Sequence, residues 1–392
     1  MKKIKGGVCA PKGFLAGATG CGIKTGKIVR DDIAVICSET SATAAGTFTT
    51  NKVKAAPVRI SMDHLRRGRP RAVVLNSGNA NACTGPQGLA DARAMASVTA
   101  HLLGLKTEQV LVCSTGRIGV SLPMERVLDG ISRLEPVRTG SLPTAKAIMT
   151  SDTFPKEIAF EVRTEDGAFR IGGIAKGAGM IDPTMATMLC VVTTDAVVGR
   201  PAAKTILKES VDDSFNRITV DGDMSTNDTV ILLANGASGV EPAPAVLREA
   251  LDAVTRALAR MIVEDGEGVS RFVEVEVRRA ASAADARRAA EAIANSTLVK
   301  CAWAGGDPNW GRILDAVGYS GVRMDESRAA IFYDDVQAVA RGVAVPGANE
   351  KLRKVASKKA FRVTVDLGLG KASDFVWTTD LTEEYVRLNL GE

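Results

Sequence analysis

The 392-residue chain is poor in aromatic and histidine side chains. Phe, Tyr and Trp together make up 4% of the residues, and only two histidines occur, His64 and His101. Stacking of nucleic-acid bases on aromatic rings is therefore not a binding mode that this sequence favours. A serine or cysteine nucleophile that needs a histidine base would depend on one of these two residues, and we expect both to be structural.

The sequence also lacks the features of secreted, membrane-spanning and zinc-binding proteins. The amino-terminal MKKIKGG is charged but no apolar segment follows it, and no run of about 18 apolar residues occurs. The seven cysteines are scattered and never form a CxxC pair. We therefore expect a cytoplasmic protein with reduced thiols, no metal site and no membrane contact.

Two glycine clusters do not complete a nucleotide-binding motif. Gly26 and Lys27 are followed by Ile28, where a phosphate-binding loop needs Ser or Thr. The GLGKAS segment at residues 368–373 lacks the third glycine of a dinucleotide-binding turn, and too little chain follows it. Turns at strand ends account better for both clusters.

Charge gives little support for a nucleic-acid partner. The net charge is +5, from 50 basic and 45 acidic residues that are spread along the chain. The densest basic stretch is HLRRGRPR, residues 64–71. We predict a solvated loop there that leads into a strand, with a phosphate or nucleic-acid contact as the alternative.

The composition that remains is typical of a globular α/β protein. Hydrophobic residues make up 45% and charged residues 24% of a chain that suggests two domains or one large multilayer domain. Short apolar segments alternate with helical patterns. Strands are predicted at residues 71–76, 110–116, 187–196, 229–236, 272–277, 329–335 and 361–370, and helices at 88–105 and 245–266.

Residues 176–192, KGAGMIDPTMATMLCVV, place a glycine-containing loop directly before an apolar run. Such a loop can adopt tight conformations, and a threonine hydroxyl held against the preceding carbonyl can attack it. Hydrolysis would leave Thr187 as a new amino terminus, and an α-amine with a pKa of roughly 8 can act as base without histidine. The alternative is that Thr187 is simply a β-branched residue that opens a strand.

Eight sequence blocks, in this order, resemble the ornithine acetyltransferase family, the glutamate N-acetyltransferases of the cyclic arginine pathway. The blocks are NSGNANACTG (76–85), CSTGRIG (113–119), IMTSDTFPK (148–156), KGAGMIDPTMATML (176–189), DGDMSTNDT (221–229), EDGEG (264–268), GGDPNWGRI (305–313) and DLTEEYVRLN (380–389). They cover the chain nearly end to end, which makes the match highly specific.

The resemblance implies a fold and a covalent division of the chain. The expected fold is a layered α/β sandwich with mixed sheets, whose active site resembles that of N-terminal nucleophile enzymes and forms after self-cleavage. The cut falls between Ala186 and Thr187. It yields an α fragment, residues 1–186, and a β fragment, residues 187–392.

The same resemblance implies roles for individual residues. Thr187 carries the acetyl group from N-acetylornithine to glutamate, and Thr115 and Gly116 match the oxyanion hole, where one donor contributes about 3 kcal/mol. A basic residue suits a substrate carboxylate and an acidic one an ammonium group. The implied substrate contacts are Thr150, Lys176, Thr187, Glu267 and Asn389.

The resemblance further implies a heterotetramer of two α and two β fragments, without a metal or a tightly held cofactor. Acetyl-CoA stays open as a second acetyl donor, and the GGDPNWGR block has no assigned chemistry. Three rival functions remain at this point. They are an N-terminal nucleophile aminopeptidase or amidase, an uncleaved small-molecule-binding protein, and a nucleic-acid-binding protein.

Overall fold

The computed structural model describes residues 1–182 and 188–390. These residues form two compact units. The first contains residues 1–177, 188–216 and 224–262, and the second contains residues 178–182, 217–223 and 263–390. Each unit takes residues from both sides of the predicted cleavage bond. The compact units therefore differ from the predicted fragments 1–186 and 187–392, whose boundary stays a prediction.

The first unit contains two mixed β-sheets. Its strands are β1 (Lys2–Ile4), β2 (Phe14–Thr19), β3 (Ile33–Ser38), β4 (Thr43–Phe48), β5 (Ala72–Asn76), β6 (Val110–Ser114), β7 (Lys156–Thr164), β8 (Gly167–Lys176), β9 (Leu189–Thr194) and β10 (Thr229–Ala234). One sheet has the order β1-β7-β8-β9-β10-β4 and the other β2-β3-β5-β6. The β9–β10 and β5–β6 pairs are parallel, and the other neighbours are antiparallel.

Helices pack against these sheets. They are α1 (Ala56–Arg67), α2 (Gly85–Leu103), α3 (Met124–Ser132), α4 (Ser141–Ala147), α5 (Arg200–Asp212) and α6 (Pro244–Glu264), the last two residues of α6 being counted with the second unit. The two sheets share one apolar core, and α1, α2 and α3 bury a second core against the β3, β5 and β6 sheet. Val254 and Leu258 of α6 pack close to Gly173 on the other sheet. The expected layered α/β sandwich is confirmed in this unit.

The second unit is built on a third mixed sheet. Its strands are β11 (Phe272–Ala280), β12 (Ala330–Tyr333), β13 (Val336–Ala340), β14 (Val343–Ala344), β15 (Ala360–Asp366) and β16 (Ala372–Thr379), in the order β14-β13-β12-β15-β11-β16. Its helices are α7 (Ala283–Ala294), α8 (Thr297–Ala304), α9 (Trp310–Tyr319), α10 (Asn349–Ala356) and α11 (Glu383–Leu388). Valines of β11 and alanines of α7 pack around Trp303 in its core.

Most of the elements predicted from apolar patterns are present. The helix predicted at residues 88–105 is α2, which ends before Gly104 in a left-handed conformation with φ of 63°. The helix predicted at 245–266 is α6, and each predicted strand overlaps a strand between β5 and β15. In β11 the valines are buried while Glu274 and Glu276 are partly exposed, as the alternating pattern predicted.

The solvated loop predicted at residues 64–71 is wrong for its first part. Residues 64–67 form the last turn of α1, because Ile60, Ser61 and His64 lie on one buried face of that helix. The His64 Nδ1 atom lies 2.7 Å from the carbonyl oxygen of Val110, and the ring is buried. His64 therefore has a structural role, as predicted, and His101 is an exposed residue of α2.

Within residues 1–182 and 188–390, none of the helices combines the length and the apolar character that are needed to cross a membrane. In the same residues no three His, Cys, Asp or Glu side chains converge in a way that could hold a metal ion. All seven cysteines lie in the described part of the chain and are free thiols.

Candidate active site

The predicted cleavage bond, Ala186-Thr187, lies outside the described residues. The first described residue after it is Met188, which is 1% exposed. Its N–H donates to Asp228 Oδ1 at 2.9 Å, and its carbonyl oxygen accepts from the Thr229 N–H at 3.1 Å. Both backbone polar groups of Met188 are therefore bonded, and the strand that follows Thr187 in sequence has a fixed beginning.

The predicted oxyanion-hole residues form a turn at the end of β6. In the parallel β5–β6 pair, Asn76 lies opposite Ser114, and the Thr115 N–H donates to the Asn76 carbonyl at 3.0 Å. Gly116 has φ of 130°, and a Cβ atom added there would lie 2.3 Å from the carbonyl carbon of Gly78. Only glycine fits at this position, because a side chain would meet both strain and backbone.

Two hydrogen-bond donors of this turn are available. Across residues 1–182 and 188–390, neither the Thr115 hydroxyl nor the Gly116 N–H has a hydrogen-bond partner. The Thr115 backbone is fixed by its bond to Asn76, and the residue is 4% exposed. Donors that are fixed and unused can stabilise a negative charge on an oxygen, as an oxyanion hole requires.

Thr150 and Lys176, both predicted substrate contacts, lie together. Lys176 is the last residue of β8, opposite Leu189 of β9, and its Nζ donates to Thr150 Oγ1 at 2.6 Å. The carboxylate of Asp152 lies close to both residues. One of its carboxylate oxygens accepts from the Thr150 N–H at 3.0 Å and is 3.7 Å from Lys176 Nζ.

The other oxygen of Asp152 accepts from Lys156 Nζ and from the Gly177 N–H, each at 2.7 Å. Burial alone would raise the pKa of Asp152, but the ammonium groups of Lys176 and Lys156 and the Gly177 N–H hold that pKa well below its usual range. Asp152 is therefore a carboxylate, and it orders the loop and the ammonium group predicted to contact substrate.

The predicted contacts Glu267 and Asn389 belong to the second unit, where they meet. Asn389 Nδ2 donates to Glu267 Oε2 at 3.0 Å. The Glu267 N–H donates to the Ala178 carbonyl at 2.9 Å, and a Cβ atom on Gly179 would lie 2.5 Å from the Glu267 carboxylate. Glycine at 179 therefore leaves room for this carboxylate.

A second carboxylate, Asp221, orders the segment that precedes the predicted cleavage bond. It accepts from the Met180 N–H at 2.7 Å, from the Ile181 N–H at 2.8 Å and from the Tyr385 hydroxyl at 3.1 Å. Tyr385 lies in α11, which ends at the residue before Asn389. One carboxylate thus joins residues 180–181 to the helix that leads to Asn389.

Asp182 is a partly buried acid with an unusual pKa. Burial and the nearby carboxylates of Glu291 and Asp221 raise the pKa of Asp182 to about 7. This side chain can therefore be neutral or charged near physiological pH.

Asn309 of the GGDPNWGR block has a structural role. The Asn309 side chain accepts from the Arg312 N–H at 3.3 Å and caps the amino terminus of α9.

Reasoning from the sequence missed several polar residues that the structure places around the predicted ones. They are Asp152, Lys156, Asp221, Asn227 and Asp228. All five lie inside blocks that carried the family resemblance, and that position was the available signal. Their type alone gave none, because charged and amide side chains are usually solvated.

Comparison with known proteins identifies relatives over nearly the whole chain. The ArgJ family model matches residues 15–391. The "Arginine biosynthesis bifunctional protein ArgJ" of Geobacter sulfurreducens is 50% identical in an alignment of 390 residues that covers 96% of this chain and 98% of that protein. The "Glutamate N-acetyltransferase" of Methanocaldococcus jannaschii is 46% identical over 405 residues, and 99% of each chain is covered.

A solved structure is also similar in sequence. The ornithine acetyltransferase of Mycobacterium tuberculosis, crystallised with ornithine, is 40% identical in an alignment that covers 48% of this chain and 98% of that chain. The TM-score of the superposition is 0.42.

Proposed function

Because the chain belongs to the ArgJ family, we propose that it is a glutamate N-acetyltransferase of arginine biosynthesis, which moves the acetyl group of N2-acetyl-L-ornithine to L-glutamate. The observation that carries the proposal is the match of the family model to residues 15–391. The unused donors of Thr115 and Gly116 at the end of β6 suit such an acyl transfer.

Self-cleavage precedes catalysis in this proposal. The Thr187 hydroxyl attacks the carbonyl carbon of Ala186, the peptide C–N bond breaks, and the nitrogen of Thr187 takes the proton that the hydroxyl loses. Water then hydrolyses the resulting ester, which leaves a carboxylate on Ala186 and a free α-amine on Thr187. That amine is the base that the two histidines do not supply.

The first half-reaction acetylates the enzyme. The Thr187 hydroxyl attacks the acetyl carbonyl of N-acetylornithine while the α-amine takes its proton. The carbonyl oxygen becomes an oxyanion, and the Thr115 hydroxyl and the Gly116 N–H stabilise it. The amide C–N bond then breaks, the proton passes to the leaving amine, and ornithine departs from an acetyl ester on Thr187.

The second half-reaction is the reverse with a different amine. The amino group of glutamate attacks the acetyl ester, and the same donors stabilise the oxyanion. The ester C–O bond then breaks, the α-amine passes the proton of the attacking amine to the Thr187 oxygen, and N-acetylglutamate leaves. In the first unit, the Lys176 ammonium and the Thr150 hydroxyl are assigned to substrate, the ammonium to a carboxylate. Glu267 and Asn389 of the second unit are likewise assigned to substrate, Glu267 to an ammonium group.

The proposal also covers assembly, location and donor range. Two α and two β fragments form a heterotetramer in the cytoplasm, and acetyl-CoA serves as a second acetyl donor. The name of the Geobacter relative, a bifunctional protein, supports a test for a second donor. Sedimentation of the purified protein checks the assembly, because the proposed particle has twice the mass of one chain.

Denaturing mass spectrometry of the wild-type protein, before and after addition of N-acetylornithine, tests the function. We expect fragments that divide between Ala186 and Thr187, with a single acetyl adduct on the later fragment. Thr187→Ala should give an intact chain without an adduct, and Thr187→Ser is the matched control, since it keeps a hydroxyl nucleophile. An uncleaved wild-type chain that gains no acetyl group would contradict the proposal.

The same samples separate transfer from hydrolysis. An acetyltransferase holds its adduct until glutamate is added and then forms N-acetylglutamate. An amidase releases acetate without glutamate, and that result would replace the proposed function with the rival one. Acetyl-CoA in place of N-acetylornithine should give the same adduct, and its absence would limit the enzyme to one donor.

A further inference from the structure

Asn227 and Asp228 are consecutive buried residues that bond to the sequence neighbours of Thr115 and Thr187. We propose that they are positioning residues, which fix the beginning of β9 relative to the oxyanion-hole turn. The inference rests on the proposed function, because it takes Thr187 as the nucleophile and Thr115 and Gly116 as the oxyanion donors. Neither side chain is proposed to touch substrate, and both act through the residues to which they bond.

The Asn227 amide joins the two segments that form the turn. Its Nδ2 atom donates to the Ala80 carbonyl at 2.7 Å and to the Ser114 carbonyl at 2.8 Å. Ser114 directly precedes Thr115, and the Ala80 N–H donates to the Arg117 carbonyl at 2.8 Å. One side chain therefore bonds to Ser114, directly before Thr115, and to Ala80, which in turn bonds to Arg117, directly after Gly116.

The Asp228 carboxylate holds the other element. Its Oδ1 accepts from the N–H of Met188, the residue directly after Thr187, at 2.9 Å. The next residue, Thr229, donates its N–H to the Met188 carbonyl at 3.1 Å, at the start of the parallel β9–β10 pair. The two bonds hold the N–H and the carbonyl group of Met188 against the segment that begins β10.

Burial makes these bonds energetically important. Asn227 is 5% exposed and Asp228 0% exposed, and their partners Ser114 and Met188 are each 1% exposed. A buried amide or carboxylate that loses its partner bears a desolvation penalty, which favours the bonded arrangement strongly over alternatives.

The segment that carries the pair is itself held in place. The Thr49 hydroxyl donates to the Ser225 carbonyl at 2.8 Å, and the Thr49 N–H donates to the Asp228 carbonyl at 3.0 Å. The Ala55 N–H donates to the Thr226 carbonyl at 3.0 Å. Residues 225–228 are therefore anchored independently of the oxyanion-hole turn and of β9. Their bonds to both can keep the distance between the turn and the strand constant.

Acyl transfer depends on that distance. A nucleophile and its oxyanion donors must both meet one carbonyl group, and a misplacement of about 1 Å can lower a rate about 100-fold. Lys176 and Thr150 are ordered by a different carboxylate, Asp152. Loss of the Asn227 or Asp228 bonds should therefore lower kcat and the rate of self-cleavage, with KM nearly unchanged.

The test compares Asp228→Ala, Asp228→Asn, Asn227→Ser and Asp32→Ala in the full chain. Asp228→Asn keeps an acceptor for the Met188 N–H, while Asn227→Ser removes the amide donors with little change in packing. Asp32→Ala is the matched control: its buried carboxylate accepts from the N–H groups of Cys21 and Ile23 at 2.8 and 2.6 Å and contacts neither Ser114 nor Met188. For each protein the cleaved fraction, kcat per cleaved chain, KM and Tm are measured.

We expect Asp228→Ala and Asn227→Ser to cleave slowly and to lower kcat per cleaved chain about 100-fold, with KM within about twofold of wild type. Asp228→Asn should recover most of kcat. Asp32→Ala should lower Tm and leave kcat per cleaved chain unchanged.

A wild-type kcat in folded Asn227→Ser, or an equal loss of kcat in Asp32→Ala, overturns the inference. If Asp228→Ala does not fold, Asn227→Ser and Asp228→Asn decide the matter, because both keep the buried volume nearly filled. Failure of the proposed function is a separate result. It appears in the wild-type protein, as an uncleaved chain without an acetyl adduct, whereas failure of this inference requires a cleaved and acetylated wild type.

Discussion

The Asp152 carboxylate accepts a hydrogen bond from Lys156 Nζ at 2.7 Å, and both side chains are wholly excluded from solvent. The same carboxylate binds the Thr150 N–H and lies 3.7 Å from Lys176 Nζ. A single buried acid therefore connects a structural lysine to the two side chains of the first unit that are assigned to substrate.

Removal of this acid should affect both stability and binding. Asp152→Ala leaves two buried ammonium groups without their carboxylate, and we expect the free energy of unfolding to fall by about 3–5 kcal/mol. KM should rise, because Thr150 and Lys176 lose their support. Denaturant titration and steady-state kinetics measure the two effects. The double variant Asp152→Asn with Lys156→Met should recover part of the stability, and a loss below about 1 kcal/mol in Asp152→Ala would contradict the prediction.

Loss of the Thr115 hydroxyl should affect chemistry rather than binding. Thr115→Val keeps the shape of the side chain and removes one oxyanion donor, so kcat should fall about 100-fold to 1,000-fold with little change in KM. Thr115→Ser, which keeps the hydroxyl, should retain most of kcat. Steady-state kinetics of the two variants measures this difference in kcat. Equal values of kcat would show that the Thr115 hydroxyl is not part of the oxyanion hole.

Gly268 should be essential for the placement of Asn389. Its φ is 64°, and a Cβ atom there would lie 2.4 Å from the Tyr385 nitrogen of α11. Gly268→Ala should displace α11 and raise KM about tenfold, which corresponds to about 1.4 kcal/mol. Gly104→Ala is the control, since Gly104 has φ of 63° with nothing within 4 Å of its added Cβ. Kinetics should show an increase in KM for Gly268→Ala alone, and an equal increase in both variants would mean that strain, not the contact, is responsible.

Asp182 should make stability depend on pH. Burial and the nearby carboxylates raise its folded-state pKa to about 7, well above the usual value for an aspartic acid. Between these two values the folded state binds more protons than the unfolded state, so stability falls as pH rises through this window and stays low above it. Asp182→Asn should therefore stabilise the protein more at pH 8 than at pH 5, by about 1–2 kcal/mol after allowance for partial exposure.

Thermal unfolding at the two pH values measures this effect. The control is Asp166→Asn, which changes an exposed carboxylate in the turn between β7 and β8. It should give the same shift in Tm at both pH values. A pH-independent gain in Asp182→Asn would show that its carboxyl group is not responsible.

Local patterns in the sequence predicted much of the secondary structure. The buried strands β5, β6, β9 and β10 are short apolar runs between turn residues, and α2 and α6 show clear helical periodicity. The last turn of α1 was missed, because Arg66 and Arg67 dominate its sequence while the apolar positions that mark the helix lie earlier.

The environment of the candidate site was less predictable. Eight blocks indicated where it lies, and the structure brings Thr150 to Lys176 and Glu267 to Asn389. Nothing in the sequence indicated that Asp152 and Lys156 are buried, since their burial depends on partners that β7 and β8 supply after folding. The roles of Asn227 and Asp228 could not be predicted for the same reason. Their bonds to Ser114 and Met188 join residues that are far apart in the chain.

The position of β9 has a consequence for the proposed self-cleavage. β9 pairs with β8 along one edge and with β10 along the other, and β4 and β7 extend the same sheet. A cut before Thr187 would leave β1, β4, β7 and β8 on one polypeptide and β9 and β10 on the other. Neither polypeptide could then complete the sheet alone, so the two pieces would part only on denaturation, and each made separately would expose unpaired strand edges that favour aggregation.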